Sequence, residues 1–325
     1  MASNEPQTSN RQQPANAQSN IEEELPFKWK AKIGNGKSVY TLLNAIQDIH
    51  ELAVICIASN GFRVTVEKHK TVQGSVFFEK EIFDDYQFSS LENLIFKIDL
   101  KMLIDCIGIF GYSSGHTDRD HNLHSRMNML NLTNPRNVSM DATLVPFALK
   151  FAYRDKGFPL TLCVDENDAE SVCDIETYLT DNLCIFTLDP NETVVEIIFN
   201  ASFFSDLFQD LDNMSDQIRF SFYVENERMK ITTKSLAGSV STRMEQISEQ
   251  EDINSCKITE NCKNIYNLKL FKMALKSLDK ATFTAISTSR QGLLCVSSQI
   301  EIETAKGKEK AYVEYFVLPN ATDEW

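Results

Sequence analysis

The chain has 325 residues, 42% of them hydrophobic, with 21 Phe and a formal net charge of −14. This length fits two domains of roughly 100–200 residues each. The charge has the wrong sign for a protein whose affinity rests on neutralising phosphates. No apolar run reaches the ~20 residues that a membrane-spanning helix needs.

Residues 1–25 open on a polar stretch rich in Gln, Asn, Ser and Pro. They read as a disordered tail, not as a signal peptide. A strand is expected at Trp29–Ile33, followed by a helix with the stripe Val39, Leu42, Leu43 and Ile46, which Ile49 extends. Apolar residues at 0, +3, +4 and +7 lie on one side of a helix, so this stripe faces a core. A hairpin follows, Ala53–Ala58 and Phe62–Lys68 around Asn60–Gly61, a dipeptide suited to a tight turn.

The same sentence is then written three more times. Leu94–Ile98 leads into a stripe of Leu100, Leu103, Ile104, Ile107 and Phe110, with a later hairpin of Phe147–Arg154 and Leu160–Val164 around Gly157. Val194–Phe199 leads into Phe204, Leu207, Phe208 and Leu211, then Gln217–Tyr223 and Met229–Lys234 around Asn226. Tyr266–Leu270 leads into Phe271, Ala274, Leu275 and Leu278, then Thr282–Ser287 and Leu293–Ile302 around Gly292. Fourfold repetition of a helix-plus-sheet unit argues for an architecture built by internal symmetry, with little room for a catalytic centre.

The eight cysteines include no Cys-x-x-Cys pair, and several, such as Cys56 and Cys295, fall inside apolar strands. Free thiols in a reducing compartment are expected, and sequons such as those at Asn131 and Asn320 read as coincidental. Segment 111–142 interrupts the second unit and carries His116, His121 and His124 beside Asp118 and Asp120. Structural zinc sites usually draw on cysteine, so no metal or other cofactor is expected there. The segment reads as a mobile insertion that could meet a binding partner through Arg119, Arg126 and Arg136.

FKWKAKIGNGKSVYTLLNAIQDI (27–49) resembles the first quarter of a eukaryotic sliding clamp of the PCNA type. AESVCDIETYLTDNLCIF (169–186) resembles the clamp's outer edge strand running into its interdomain connector. VEYFVLPNATDE (313–324) resembles its last strand, apolar-Pro segment and acidic tail. Within that superfamily, NGFRVTVE (60–67), LIDCIGIFG (103–111), the GFPLTL turn (157–162) and VEYF (313–316) are most similar to the checkpoint-clamp subunit of the Rad-one type. The common order of these motifs covers residues 27–319.

The resemblance implies an α+β sliding-clamp fold of two domains, each of two β-α-β-β-β units, with helices lining the ring interior and sheets outside. The domains would be 26–177 and 192–325, joined by a connector at 178–191. The implied role is that of a non-catalytic, nuclear subunit of a heterotrimeric ring with Rad-nine-type and Hus-one-type subunits. An ATP-driven checkpoint clamp loader would place that ring around double-stranded DNA at damaged or recessed ends. There it would recruit checkpoint signalling and repair factors, repair enzymes among them. No membrane is involved.

Residues follow from the same pattern. The DNA-facing lysines would be Lys37, Lys101, Lys272 and Lys276, although the third helix is acidic, with Asp206, Asp210 and Asp212. A ring held on DNA by topology tolerates this. Subunit contacts would use two edges, Glu170–Glu176 with Val172 and Ile175, and Ser239–Glu245 with Val240 and Thr242. A client pocket would be framed by Leu179, Leu183 and Ile185 on the connector, with Val317, Leu318 and Pro319 at the C-terminus.

Two rivals accompany this reading. A 3′→5′ exonuclease would need carboxylates converging on two metal ions, and the candidates are Asp118 with Asp120 and Asp165, Glu166 and Asp168. A homotrimeric replication processivity clamp would share the fold and differ in its partners.

Overall fold

The computed structural model describes residues 26–113, 147–166, 169–180, 185–209, 215–235, 238–304 and 306–321. The expected tail, and all but the first residues of the expected insertion, lie outside these. The first unit is β1 (Trp29–Ile33), α1 (Gly36–Ile46), β2 (Leu52–Ala58), β3 (Gly61–Lys68), β4 (Val72–Glu79) and β5 (Asp85–Phe88). The second is β6 (Leu94–Asp99), α2 (Leu100–Ser113), β7 (Leu149–Tyr153), β8 (Leu160–Glu166) and β9 (Ala169–Ile175), with a short β10 (Thr177–Tyr178) after it. The third is β11 (Thr193–Asn200), α3 (Ala201–Gln209), β12 (Gln217–Tyr223), β13 (Arg228–Ser235), β14 (Gly238–Met244) and β15 (Ile253–Ile258). The fourth is β16 (Cys262–Asn267), α4 (Leu268–Ala274), β17 (Ala281–Ser289), β18 (Leu294–Thr304) and β19 (Gly307–Val317).

The units interlock by exchanging their first strands. β1 of the first unit pairs with β7 of the second, while β6 of the second pairs with β2 of the first. The C-terminal half repeats this: β11 pairs with β17, and β16 pairs with β12. Neither unit of a pair has a complete sheet without the other, which is why two repeats make one core. Three sheets result, in the orders β5-β1-β7-β8-β9, β14-β13-β12-β16 and β10-β6-β2-β3-β4-β19-β18-β17-β11-β15.

The ten-stranded sheet joins the halves of the chain. Its seam is the antiparallel pair β4–β19, with Val76 opposite Val313 and Gly74 opposite Tyr315. Helix α1 lies against the seam, and Gly74 is what lets it approach. A Cβ at Gly74 would sit 2.4 Å from Cδ1 of Ile49 and 3.1 Å from Cγ2 of Ile46. The phenol of Tyr315 donates to the carbonyl of Ala45, one of the last-turn carbonyls that a helix leaves unpaired.

The apolar stripes expected on α1 and α2 are buried throughout. On α3, Phe204 and Phe208 are buried; Leu211 lies outside the described residues. Aromatic rings fill much of both cores. Phe62 stacks on Phe78 at 4.6 Å and meets Trp29 edge-on at 5.3 Å, while Phe271 touches Phe208 at 4.9 Å and Phe220 at 5.2 Å.

One boundary differs from the reading of the sequence. The strand expected over Tyr266–Leu270 stops at Asn267, and the helix starts at Leu268. Asn267 is the cause: its side chain accepts from the backbone N–H groups of Lys269 and Leu270, which ends the strand by capping the helix. The helix itself is shorter than its stripe, continuing as a 3-10 turn over Leu275–Lys280.

Candidate assembly edges and nucleic-acid interface

Two sheets end on exposed strands, one in each half of the chain. β9 closes the five-stranded sheet and β14 closes the four-stranded one. Unpaired backbone groups on such edges can accept a further strand. All seven residues of β14 except Met244 are exposed, including Thr242, and Val240 is 57% exposed. On β9, Val172 is 53% exposed, but Ile175 is 3% exposed and belongs to the core. The reason is parity: side chains alternate along a strand, so positions three apart point to opposite faces. Ile175 sits opposite Leu160 and faces inward, and the expectation that it lies on an outer contact is corrected.

The helices form a row, with α2 beside α1, α1 beside α4 and its 3-10 extension, and that extension beside α3. Their apolar stripes face the sheets, so their polar sides share one face of the molecule. Lys37 lies in the first turn of α1 and Lys272 on α4, both partly buried. Lys101 on α2 is exposed and donates to Asp105, four residues on, at 2.7 Å. That carboxylate holds the ammonium above its ordinary range. Lys276 pairs with Asp48, which follows α1, so this ion pair bridges the two halves of the chain. The expected basic face is therefore partly neutralised by its own carboxylates. Asp206 is exposed on α3; Asp210 and Asp212 lie outside the described residues.

Between β10 and β11, Phe186 lies on the outer face of the seam. The backbone N–H of Phe186 donates to Oε1 of Gln73 at 2.8 Å, and its ring meets Phe316 edge-on at 6.5 Å. Leu179 is exposed, as are Ile185 and Leu318, and Pro319 is partly buried. Leu318 is anchored by its N–H on the carbonyl of Thr71, and Asn320 by its N–H on that of Ile265. Leu183 lies outside the described residues. Val317 is wholly buried. It faces the core with Tyr315 and Val313, so its place in an open pocket is corrected by the same parity. Phe186 and Gln73 were missed by sequence reasoning, and an outward-facing aromatic at Phe316 was the available signal.

Asp165 and Glu166 end β8, where Asp165 is the register partner of Glu170. Among the described residues no three His, Cys, Asp or Glu side chains gather as a metal site. His116, His121, His124, Asp118, Asp120, Asp168 and the arginines 119, 126 and 136 lie outside the described residues. No helix among those described is long and apolar enough to cross a membrane.

A family profile described as "Repair protein Rad1/Rec1/Rad17" matches residues 28–300. The chain belongs to the Rad1 family. Its relatives include the human "Cell cycle checkpoint protein RAD1", 26% identical over 299 residues that cover 92% of this chain and 94% of the human one. The Drosophila melanogaster "DNA repair protein Rad1" is 22% identical over 288 residues, covering 86% of this chain and 91% of the fly protein. In three dimensions the Rad1-family chain is similar to the crystal structure of proliferating cellular nuclear antigen from Entamoeba histolytica. The TM-score is 0.64 at 13% identity, covering 91% of this chain and all (100%) of that one. The fold is that of a sliding clamp.

Proposed function

We propose that this Rad1-family chain is a non-catalytic subunit of a checkpoint clamp that encircles double-stranded DNA in the nucleus. The observation that carries the reading is a pair of exposed edge strands, β9 and β14, in opposite halves of a sliding-clamp fold. Two different edges make a heterologous contact surface, and head-to-tail contacts of that kind give a ring where the rotation between subunits closes. The partners on those edges are Rad-nine-type and Hus-one-type subunits, consistent with the checkpoint and repair names of the relatives. A dedicated ATP-driven loader places the ring at damaged or recessed ends, where it recruits checkpoint signalling factors and repair enzymes. Residues 26–177 and 192–325 act as the two clamp domains, with 178–191 as connector.

DNA passes along the helix row. Lys37, Lys101, Lys272 and Lys276 offer only modest attraction there, and topology does the holding. A net charge of −14 is compatible with a ring and would oppose a binder that relied on contact alone. Leu179, Leu183, Ile185, Leu318 and Pro319 are the proposed client-pocket residues.

Light-scattering mass of the chain, alone and co-expressed with the two partner types, tests the proposal. A monomer that becomes a one-to-one-to-one complex is expected. A stable homotrimer would make it a self-sufficient processivity ring. A monomer indifferent to both partners, with metal-dependent release of 3′ nucleotides, would replace the scaffold by a nuclease.

A further inference from the structure

Helix α2 and the edge strand β9 meet through two cysteines. Sγ of Cys106 lies 2.7 Å from Sγ of Cys173, although the residues are 67 apart in sequence. Cys106 is buried on α2, and Cys173 is half-buried on β9. Cys173 alternates with Val172 and Asp174, so its side chain faces the helix while Val172 faces out. A covalent S–S bond is ~2.05 Å long, so a fraction of an ångström separates this contact from a bond. The helix and strand already hold the two sulfurs together.

We propose that Cys106 and Cys173 form a reversible dithiol–disulfide pair, oxidised by peroxides, that ties the edge strand β9 to α2. The thiolate of Cys173 attacks one peroxide oxygen. The O–O bond breaks, hydroxide leaves, and Cys173 becomes a sulfenic acid. Cys106 then attacks that sulfur, its thiol proton leaves with the departing hydroxide as water, and the S–S bond forms. In total two thiols and one hydrogen peroxide give one disulfide and two waters, and an external thiol reverses the step by exchange.

The division of labour follows from the surroundings. The Cys106–Cys173 hydrogen bond holds the Cys173 thiol below its ordinary range, against burial and the charge of Asp174. The same pairing, with burial, pushes Cys106 up. Cys173 is the more exposed of the two and the first that a peroxide reaches, so it is the attacking sulfur and Cys106 the resolving one. Burial raises the thiols of Cys56, Cys256, Cys262 and Cys295, which disfavours their reaction. Both sulfurs lie on the helix side of β9, so the bond leaves the outer side chains of that edge unchanged. This inference rests on the sulfur geometry and stands whether or not the chain is a clamp subunit.

The test is peptide mapping of the full chain, without reduction, after brief exposure to micromolar hydrogen peroxide. The expected product is one linked peptide pair, Cys106 with Cys173, two hydrogens lighter than the free pair and returned to thiols by dithiothreitol. The oxidised chain should melt several degrees higher, because the link closes a long loop. C106S and C173S should both abolish the link and that shift, while C163S should leave them intact. Recovery of Cys106 and Cys173 in separate peptides, unmodified or singly oxidised, would overturn the proposal. So would a dominant link from either residue to any other cysteine. The wild-type map decides the matter even if a serine variant fails to fold.

Discussion

The backbone N–H of Phe186 donates to Oε1 of Gln73, 2.8 Å away, and this contact fastens the segment between β10 and β11, the proposed connector, to the seam between the two halves of the chain. Gln73 is wholly buried although it sits on the outer face of the sheet, in the same cross-strand row as Phe316 and Cys295. The covering segment explains that burial. Removing the amide should free the connector before it loosens the core. Gln73→Ala is expected to cost about 1 kcal/mol of global stability. It should accelerate amide exchange at Phe186 and its neighbours far more than in β4 or β19. Uniform acceleration across the sheet would argue that the connector is held by something else.

Tyr315 and Ala45 form a second link, on the opposite face of the seam. The phenol is the partner of a buried helix-end carbonyl, and a Phe ring would leave that carbonyl bare. Tyr315→Phe should therefore destabilise the chain by about 1–2 kcal/mol in urea unfolding, chiefly through the lost partner of Ala45. A change within a few tenths would mean that water replaces the hydroxyl.

The edges make a prediction about assembly that separates it from folding. Val172 and Val240 are exposed on β9 and β14, and neither supports a core. Val172→Lys and Val240→Lys should each leave the melting temperature within about 1–2 °C, since exposed substitutions away from special features change stability little. Each should weaken association with one partner type at least tenfold while sparing the other, because a charge on an edge opposes strand addition. Loss of both partners from a single substitution would contradict two independent edges.

Lys101 and Lys276 are already paired with Asp105 and Asp48. If the helix row faces DNA, those carboxylates restrain it. Asp48→Asn and Asp105→Asn should each strengthen DNA binding by the assembled ring, steepening its salt dependence by about one counterion per lysine released. Asp155→Asn removes a carboxylate paired with Lys28 on the five-stranded sheet instead, and serves as a control expected to leave the salt slope unchanged.

The repeat was legible in the chain because its signals are local. A stripe such as Val39, Leu42, Leu43 and Ile46 is set by the helical period, and a turn such as Asn60–Gly61 by backbone sterics; Gly61 does take a positive φ of 142°. The end of β16 was misplaced because Tyr266–Leu270 is apolar enough for either element, and only the bonds made by Asn267 decide. The four hairpin pairings were readable too, but which strands pair between repeats was not. The exchange of β1 with β6, and the joining of β4 to β19, depend on surfaces brought together from distant parts of the chain. The same holds for the burial of Ile175, Val317 and Gln73, for the Lys276–Asp48 pair and for the contact of Cys106 with Cys173. Composition and periodicity determined what each segment is; packing between segments decided which of its faces meets water, because that depends on the neighbour and not on the residue.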